Sequence, residues 1–580
     1  MSLLKKNRPT LMSKKFYSML LGGTLTMIVV SLLLMSDSII AGIVVGSDAV
    51  AGVTLVTPMY SLAAFFGSVI SLGVPILYST EMGKFNKERA DQVFGLGLLM
   101  SIVIGVIMFV AISLFGEAYL KSDGVNGQIF SQASGYLSWM RFTILIMPVQ
   151  MLIGEAVYSD GDETISTIAS GVQGLGNIVF SVVLSQFMGI RGIGLASFIF
   201  GAVSLLIYLI HFLKKSNSLR FNLYFSFRVL KDVVRYSIID SSSYLFLAAF
   251  TAILNVFISA RFGSQYLIIV STITLCREFQ LLFDGIGEAV SPILSVYYGE
   301  HSKDGLRYIY ALAQKTAIIE GIAVSVALII FAPFVPSILD VTSPELAQYV
   351  QETVRVTALG SVFVSLLYLV TSYYLIIERI LLGLIACAMR DIIFSVSLVV
   401  IFGVVLNIFG VFVGLLGGPI VAYFAVVLFL RLRYGKEDSP LLLNRTFGDE
   451  TGYTYNLSTD PEDIIRVQHE IETLLHDHSV DNRTIGRVTL LVEEMNMFIR
   501  QMNDNKAVLA ECTVFIRPEG VQLISKDGGV SFDMADEDLS IKSLSAYTVA
   551  SYLEKRDFDN RHLTTMSFNR SSFLVKYDQN

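Results

Sequence analysis

One carboxylate, Asp37, stands in the stretch LLLMSDSIIAG, residues 32–42, inside an apolar and small-residue run from Tyr17 to Gly46. A carboxylate near the middle of a membrane span costs about 2.5–3.5 kcal/mol on insertion scales. A proton, a bound cation or a hydrogen bond from a neighbouring helix must offset that cost. No basic residue lies in the adjacent turns. Ionisable groups inside a membrane usually mark ion or substrate paths. The chemistry expected at Asp37 is therefore loading and release of a proton or cation, with a purely structural hydrogen bond as the alternative.

A second charged stretch is CREFQLLFDGIGEAVSP, residues 276–292. Arg277 and Glu278 are neighbours, and Asp284 and Glu288 are four apart, which puts them on one helix face. Gly285 and Gly287 let the helix bend or another helix approach. Three acids and one arginine cannot all face lipid, so Arg277, Glu278, Asp284 and Glu288 are expected to line a wet central cavity. Arg141 and Glu155 flank Pro148, with Glu155 close to a span end. Arg390 and Asp391 read as a structural pair. Cys276, Cys387 and Cys512 are far apart, which gives neither a metal spacing nor a disulfide framework.

These groups must be positioned by membrane spans. The 580-residue chain is 53% hydrophobic and 16% charged, with a mean hydropathy of +0.64, against about 25% charged residues in soluble proteins. Twelve candidate spans of about 20 apolar residues are centred near residues 30, 64, 104, 145, 175, 202, 247, 280, 321, 364, 393 and 419. With the amino terminus placed inside, alternate segments carry 21 Lys and Arg and the opposite segments four: Lys121, Arg191, Arg261 and Arg355. That asymmetry predicts twelve spans with both termini cytoplasmic. The basic segment before Tyr17 leads into a run too long for a signal peptide.

GVPILYSTEMGKFNKE (73–88) resembles VSPILSVYYGEHSKDG (290–305), with Pro75 matching Pro292 and Gly83 matching Gly299. Two parallel six-span halves, 16–217 and 218–434, follow from it, with a substrate path between them. A basic amino terminus (1–15) precedes them and a polar linker (435–454) follows. Residues 455–580 hold 13 Lys and Arg against 21 Asp and Glu, so the acidic balance belongs to this tail. No basic surface points to nucleic acid. The tail reads as a soluble α/β domain. Residues 464, 467, 471 and 474 form a helical stripe, a second helix follows, and CTVFIRPEGVQLIS is a hairpin turning at Pro518-Glu519-Gly520. A helix near 540–554 and the strands HLTTMSF and SFLVKY complete it. The expected fold class is an all-α polytopic membrane protein, twelve helices in two six-helix pseudo-repeats, followed by an α/β two-layer sandwich.

The stretches MSDSIIAGIVVGSDAVAGVTLVTPM (35–59), GVPILYSTEMGKFNKERA (73–90) and SDGDETISTIASGVQGLGNIVFSVVLSQFMGIRGIGLASFI (159–199) resemble the multidrug and toxic compound extrusion (MATE) family. The resemblance covers about the first 435 residues. It implies a bacterial inner (plasma) membrane exporter in which Asp37, Asn177 and Ser197 couple transport to protons or sodium ions. Many members also carry an Asp four residues after the Asn; here that position is Ser181. One acid with amide and hydroxyl oxygens makes a weaker cation site than two acids.

The tail resembles the histidine-kinase-like ATPase fold of anti-sigma-factor kinases. LLVEEMNMFIRQMND and SKDGGVSFDMAD sit where that family has its magnesium-binding Glu/Asn helix and adenine-binding Asp-x-Gly loop. By this likeness Glu493, Asp527 and Gly529 are candidate nucleotide-binding residues, and ATP is the candidate ligand. Four residues after Glu493 and Glu494 stand Met497 and Phe498, and LSIKSLSAYTV has no glycine for a phosphate loop. The fold without the catalysis is expected.

Taken together, the sequence predicts an ion-coupled exporter of small, cationic or amphipathic compounds by alternating access, not an enzyme. Its tail would bind a nucleotide or a regulatory protein. The alternatives are a flippase for a lipid-linked saccharide, whose cavity should be more cationic, and a membrane sensor with the tail as output.

Overall fold

A computed structural model describes residues 10–577 except 84–86, 123–126, 161, 215, 216, 218, 223, 224, 448–451, 533–543, 551–557 and 564–567. Helix α1 (Leu11–Ile40) opens with a capping box. Thr10 accepts from the Ser13 amide, and the Ser13 side chain accepts from the Thr10 amide. It is followed by a five-residue π-helical turn, Ala41–Val45. Then come α2 (Ser47–Gly83), α3 (Lys87–Ser122), α4 (Gln128–Ser159), α5 (Glu163–Met188) and α6 (Ile190–Leu209). The second half has α7 (Phe227–Phe262), α8 (Leu267–Gln280), α9 (Asp284–Gly299), α10 (Lys303–Phe331), α11 (Val335–Ile338), α12 (Pro344–Ile376), α13 (Ile380–Ala388) and α14 (Phe394–Tyr434). A single 3-10 turn, Leu281–Phe283, separates α8 from α9, which continue one span.

Among the described residues, ten helical segments are long and apolar enough to cross a membrane, against the twelve expected. Two features account for the difference. The segment Ile380–Tyr434 holds two of the expected spans and folds at Asn407, where φ is 55° and ψ is −142°. Its arms run back along each other: a Cβ on Gly414 would lie 2.5 Å from the Val399 Cα, and one on Gly418 would lie 3.0 Å from that of Ser395. The other is the expected first span. It lies in the 30-residue α1, where Met35–Val45 is the shorter apolar stretch among the described residues.

The repeat seen in sequence has a backbone counterpart. The α5–α6 turn is made by Gly189 at φ 58°, ψ −141°, nearly the conformation of Asn407. Three residues beyond each stands a glycine pressed on the preceding helix. Gly192 approaches the Leu184 carbonyl and Gly410 the Phe402 carbonyl so closely that neither has room for a Cβ. Gly46 and Gly263, both at positive φ, end α1's π-turn and α7 in the same way. Each pair is separated by about 217 residues, the spacing of Pro75 and Pro292.

After α14 the chain passes α15 (Leu443–Phe447) and enters the tail. Strands β1 (Gly452–Ser458), β2 (Leu509–Arg517), β3 (Gly520–Asp527), β4 (Phe558–Leu563) and β5 (Phe568–Lys576) form one antiparallel sheet in the order β1-β2-β3-β5-β4. The β2–β3 hairpin turns at Pro518 and Glu519 as expected. Strand β1, GYTYNLS, begins inside the segment read as linker; its polar composition hid it. Helices α16 (Pro461–Asp477) and α17 (Asn482–Met502) bury Ile464, Val467, Ile471, Leu475, Val488 and Met495 with Cys512 and Val514 from one sheet face. Leu475, rather than residue 474, completes the α16 stripe. A short helix, α18 (Leu544–Ala550), lies within the expected 540–554 helix. Part of the expected phosphate-loop segment, 540–543, lies outside the described residues.

Candidate ion and substrate site

Asp37 lies one turn before the end of α1, ahead of the π-turn; such turns often occur at functional sites. Its Oδ2 accepts a 2.6 Å hydrogen bond from the Tyr136 hydroxyl of α4, and the Ser197 hydroxyl of α6 lies 3.2 Å away. Ser197 is also 3.3 Å from Asn177 Oδ1, and the Asn177 side chain of α5 reaches Asp37. Asp37 Oδ1 is buried with no hydrogen-bond partner among the described residues. Four helices thus bring Asp37, Asn177 and Ser197 together with Tyr136, the three being those the resemblance implied. Every neighbour that bonds the carboxylate is neutral, and one oxygen stays open for a proton or cation.

Ser181, in the place of the family's second acid, points its hydroxyl at Asn177 Oδ1 at 3.0 Å. It orients the amide and leaves the charge of the site to Asp37. Tyr136 was not anticipated. Its signal was a phenol inside an apolar helix, where a buried hydroxyl normally finds a partner.

The four residues of the eighth span do not share one environment. Glu278 faces the amino-terminal lobe. It lies within electrostatic reach of Asp37, both carboxylates reach Tyr60 of α2, and its Oε2 is buried without a hydrogen-bond partner among the described residues. Arg277 turns the other way. Its Nη2 lies 2.9 Å from Asp391 Oδ1, and its guanidinium sits 4.1 Å from the Phe250 ring centre. The 3-10 turn then separates Asp284, which feels Arg390, from Glu278. Glu288 points toward α1 beside Gly23. One shared cavity lining was the expectation; Arg277 and Glu278 diverge as neighbours on α8, and the turn at Leu281–Phe283 sets Asp284 and Glu288 on α9 apart from them.

The expected Arg390–Asp391 pair is a triad. Asp391 accepts from Arg390 Nε and Nη2 at 2.9 and 2.7 Å while also holding Arg277. Arg390 stacks 3.7 Å from the Tyr368 ring centre. A second π-helical turn, Met389–Ile393, presents this pair. Gln280 and Ser395 join the triad around a cavity of about 60 Å3, room for a few waters.

A further cluster escaped the sequence reading. His211 is 1% exposed, and its two ring nitrogens lie 2.8 Å from Asp160 and Asp162. Lys214 lies 2.7 Å from Asp162. Lys214 first, then His211, hold the Asp162 carboxyl down at about 2. This ties the α4–α5 turn to the end of α6, and Asp162 also caps α5 through the Ile165 amide.

In the tail, Asp527 Oδ1 accepts from the Gly529 amide and from Asn569 Nδ2 at 2.9 and 3.0 Å. Asn503, at the end of α17, accepts from the Val530 amide. Glu493 is engaged by Gln468 of α16, and Asn496 is buried against Val492 and Cys512. Asp527 and Gly529 therefore form one turn, and Glu493 belongs to a separate helix–helix contact.

The MatE family model matches residues 24–183, a segment that carries Asp37, Tyr136 and Asn177. The chain is similar to solved MATE transporters. It is 20% identical to one described as the inward-facing conformation of a multidrug resistance MATE family transporter of the MOP superfamily, with a TM-score of 0.66 over 72% of this chain and 96% of that one. Against the corresponding outward-facing structure the TM-score is 0.59, at 20% identity over 73% and 96%. A MATE in a bent conformation matches at 0.55, 21% identical over 73% and 95%. No curated protein matches the chain. The architecture is thus the multi-pass membrane fold of MATE transporters.

Proposed function

We propose that the protein is a secondary active exporter of small organic compounds, cationic or amphipathic, driven by a proton or sodium gradient through alternating access. The observation that carries this is Asp37: a membrane carboxylate on four-helix neutral scaffolding, with one oxygen that has no hydrogen-bond partner among the described residues. A carboxylate held by hydroxyl and amide groups alone can change its charge without stranding a paired cation. Uptake of an ion at Asp37 and departure of a cation from the neighbourhood of Glu278 would be coupled by mutual electrostatic reach. The likeness to inward- and outward-facing transporters supports a fold that adopts both states.

The basic-residue asymmetry supports both termini in the cytoplasm, and the likeness to MATE transporters supports a bacterial inner membrane as the location. The tail would then be a cytoplasmic regulatory domain. An adenine at Asp527 would have to displace the bond from Asn569, so the ATP-binding reading needs that turn to rearrange.

The test is efflux of a panel of fluorescent cationic dyes from exporter-deficient cells, comparing wild type with equally expressed Asp37→Asn. Wild type should export at least one dye and the variant none. Equal export by both would assign Asp37 a structural role and remove the coupling mechanism.

A further inference from the structure

We propose that the tail is an intramolecular clamp: its second sheet face grips the α9–α10 turn and the start of α1, and while seated it holds the transporter open to the cytoplasm. This rests on the exporter reading above.

Side chains alternate across a strand. On β2, Cys512 and Val514 face α16 and α17. Glu511, Thr513 and Phe515 face away from those helices, yet they are only 1%, 0% and 2% exposed. On this face Tyr297 of α9 meets Glu511, Thr513 bonds Thr454 of the neighbouring β1, and α10 lies against β1. At the centre of the contact Lys526 lies wholly buried between Glu300 and Glu511. Arg570 Nε donates to Glu300 at 2.8 Å, and the Tyr297 hydroxyl donates to Glu511 at 2.6 Å. Burial lowers the lysine's proton affinity, but the two carboxylates outweigh it and raise Lys526 above its ordinary value.

The network holds two acids and two cations and is close to neutral. Buried ion pairs add little net stability over apolar packing, because desolvation offsets attraction. Water can take over every one of these groups when the faces part. A contact built this way is specific and reversible.

The second grip is on α1. Leu11 lies against Gly528 of the tail, and Phe568 of β5 belongs to the apolar cluster that contains Leu11, Met12 and Phe16. From there α1 packs along α9 with Gly23 directly on Gly285. Asp37 stands 26 residues beyond Leu11 on the same helix, about 39 Å away along a straight axis, bonded to α4 and α6. The start of α1 is therefore fastened to the carboxy-terminal lobe and the tail, and its far end to the amino-terminal lobe. Rocking of one lobe against the other must slide or bend this helix. A seated tail opposes that motion, and the seated form resembles the inward-facing relative more than the outward-facing one.

The experiment uses the full chain in lipid nanodiscs and reads no transport. In one preparation, Thr513→Cys reports seating by its rate of labelling with a polar maleimide; the native cysteines are buried. In another, spin labels at Glu117→Cys and Gln265→Cys report the separation of the two lobes on the opposite side. Glu300→Lys places a third cation against Lys526 and Arg570. It should speed labelling at least tenfold and add a longer-distance population between the labels. Glu300→Gln should shift both in the same direction by less, and serves if the lysine variant fails to accumulate. Unchanged labelling in the tested variant would show that this network does not seat the tail. Faster labelling with an unchanged distance distribution would show that seating does not hold the transporter. Either overturns the proposal, while the Asp37→Asn efflux result judges the exporter reading separately.

Discussion

In the amino-terminal lobe Asp37 meets a tyrosine, a serine and an asparagine; in the carboxy-terminal lobe Asp391 lies between the guanidinium groups of Arg277 and Arg390. The backbones around them follow one plan, with matched turns at Gly189 and Asn407 and a π-turn beside each acid. About 217 residues after Asp37, at the repeat spacing, stands Leu254, fully buried. The same scaffold thus carries a carboxylate free to change its charge in one half and a carboxylate locked by two cations in the other. Under the proposed mechanism the surroundings, not the fold, decide which carboxylate can cycle.

That contrast can be broken most forcefully at the two acids. Asp37→Asn should abolish efflux and leave the protein folded, because only neutral partners lose their charged acceptor. Asp391→Asn should do the reverse and destabilise the fold by about 3–5 kcal/mol, the range for removing one partner of a buried pair. Thermal unfolding in detergent compares them, and equal melting temperatures would erase the distinction. Next in size is Tyr136→Phe, which removes the shortest bond to Asp37. A hydrogen bond to a charged group is worth about 1.5–3 kcal/mol, so initial efflux rates should fall about tenfold or more while stability falls by no more than that amount.

The matched turns sharpen the comparison at smaller scale. Gly189→Ala forces a Cβ onto a backbone at φ 58°, ψ −141°, a sparsely populated region, and should cost about 1–3 kcal/mol. Asn407→Gly should be neutral or slightly stabilising, since Asn407 already bears that strain. Unfolding midpoints of the two variants should move apart. The smallest effect concerns Asp162. Its folded value of about 2 lies below the ordinary 3.8, so its contribution is complete above the ordinary value and disappears as pH falls toward 2. Hydrogen exchange at the Ile165 amide should stay slow at pH 4. In Lys214→Ala it should quicken there.

Much of this was legible in the sequence. Apolar run length marked the spans, the Pro75 and Pro292 segments marked the repeat, and an isolated Asp37 marked the candidate site. What escaped depended on three-dimensional detail. The 3-10 turn at Leu281–Phe283 sets Asp284 and Glu288 apart from Arg277 and Glu278, and no residue type there announces it. Tyr136, His211 and Lys526 acquire their roles from partners far along the chain, and pattern reasoning within one helix cannot see such partners. Strand β1 was hidden by its polar residues because it sits at a sheet edge, paired on one side with β2.

The continuity of α1 has a thermodynamic consequence. One helix contacts the seated tail at Leu11 and carries Asp37 near its other end. If ion occupancy at Asp37 changes how readily α1 moves, it must also change the affinity of the tail for its seat. By linkage, any molecule that favours the unseated tail must change ion affinity by the same factor. The membrane ion gradient would then be readable on the cytoplasmic side as the fraction of tails released.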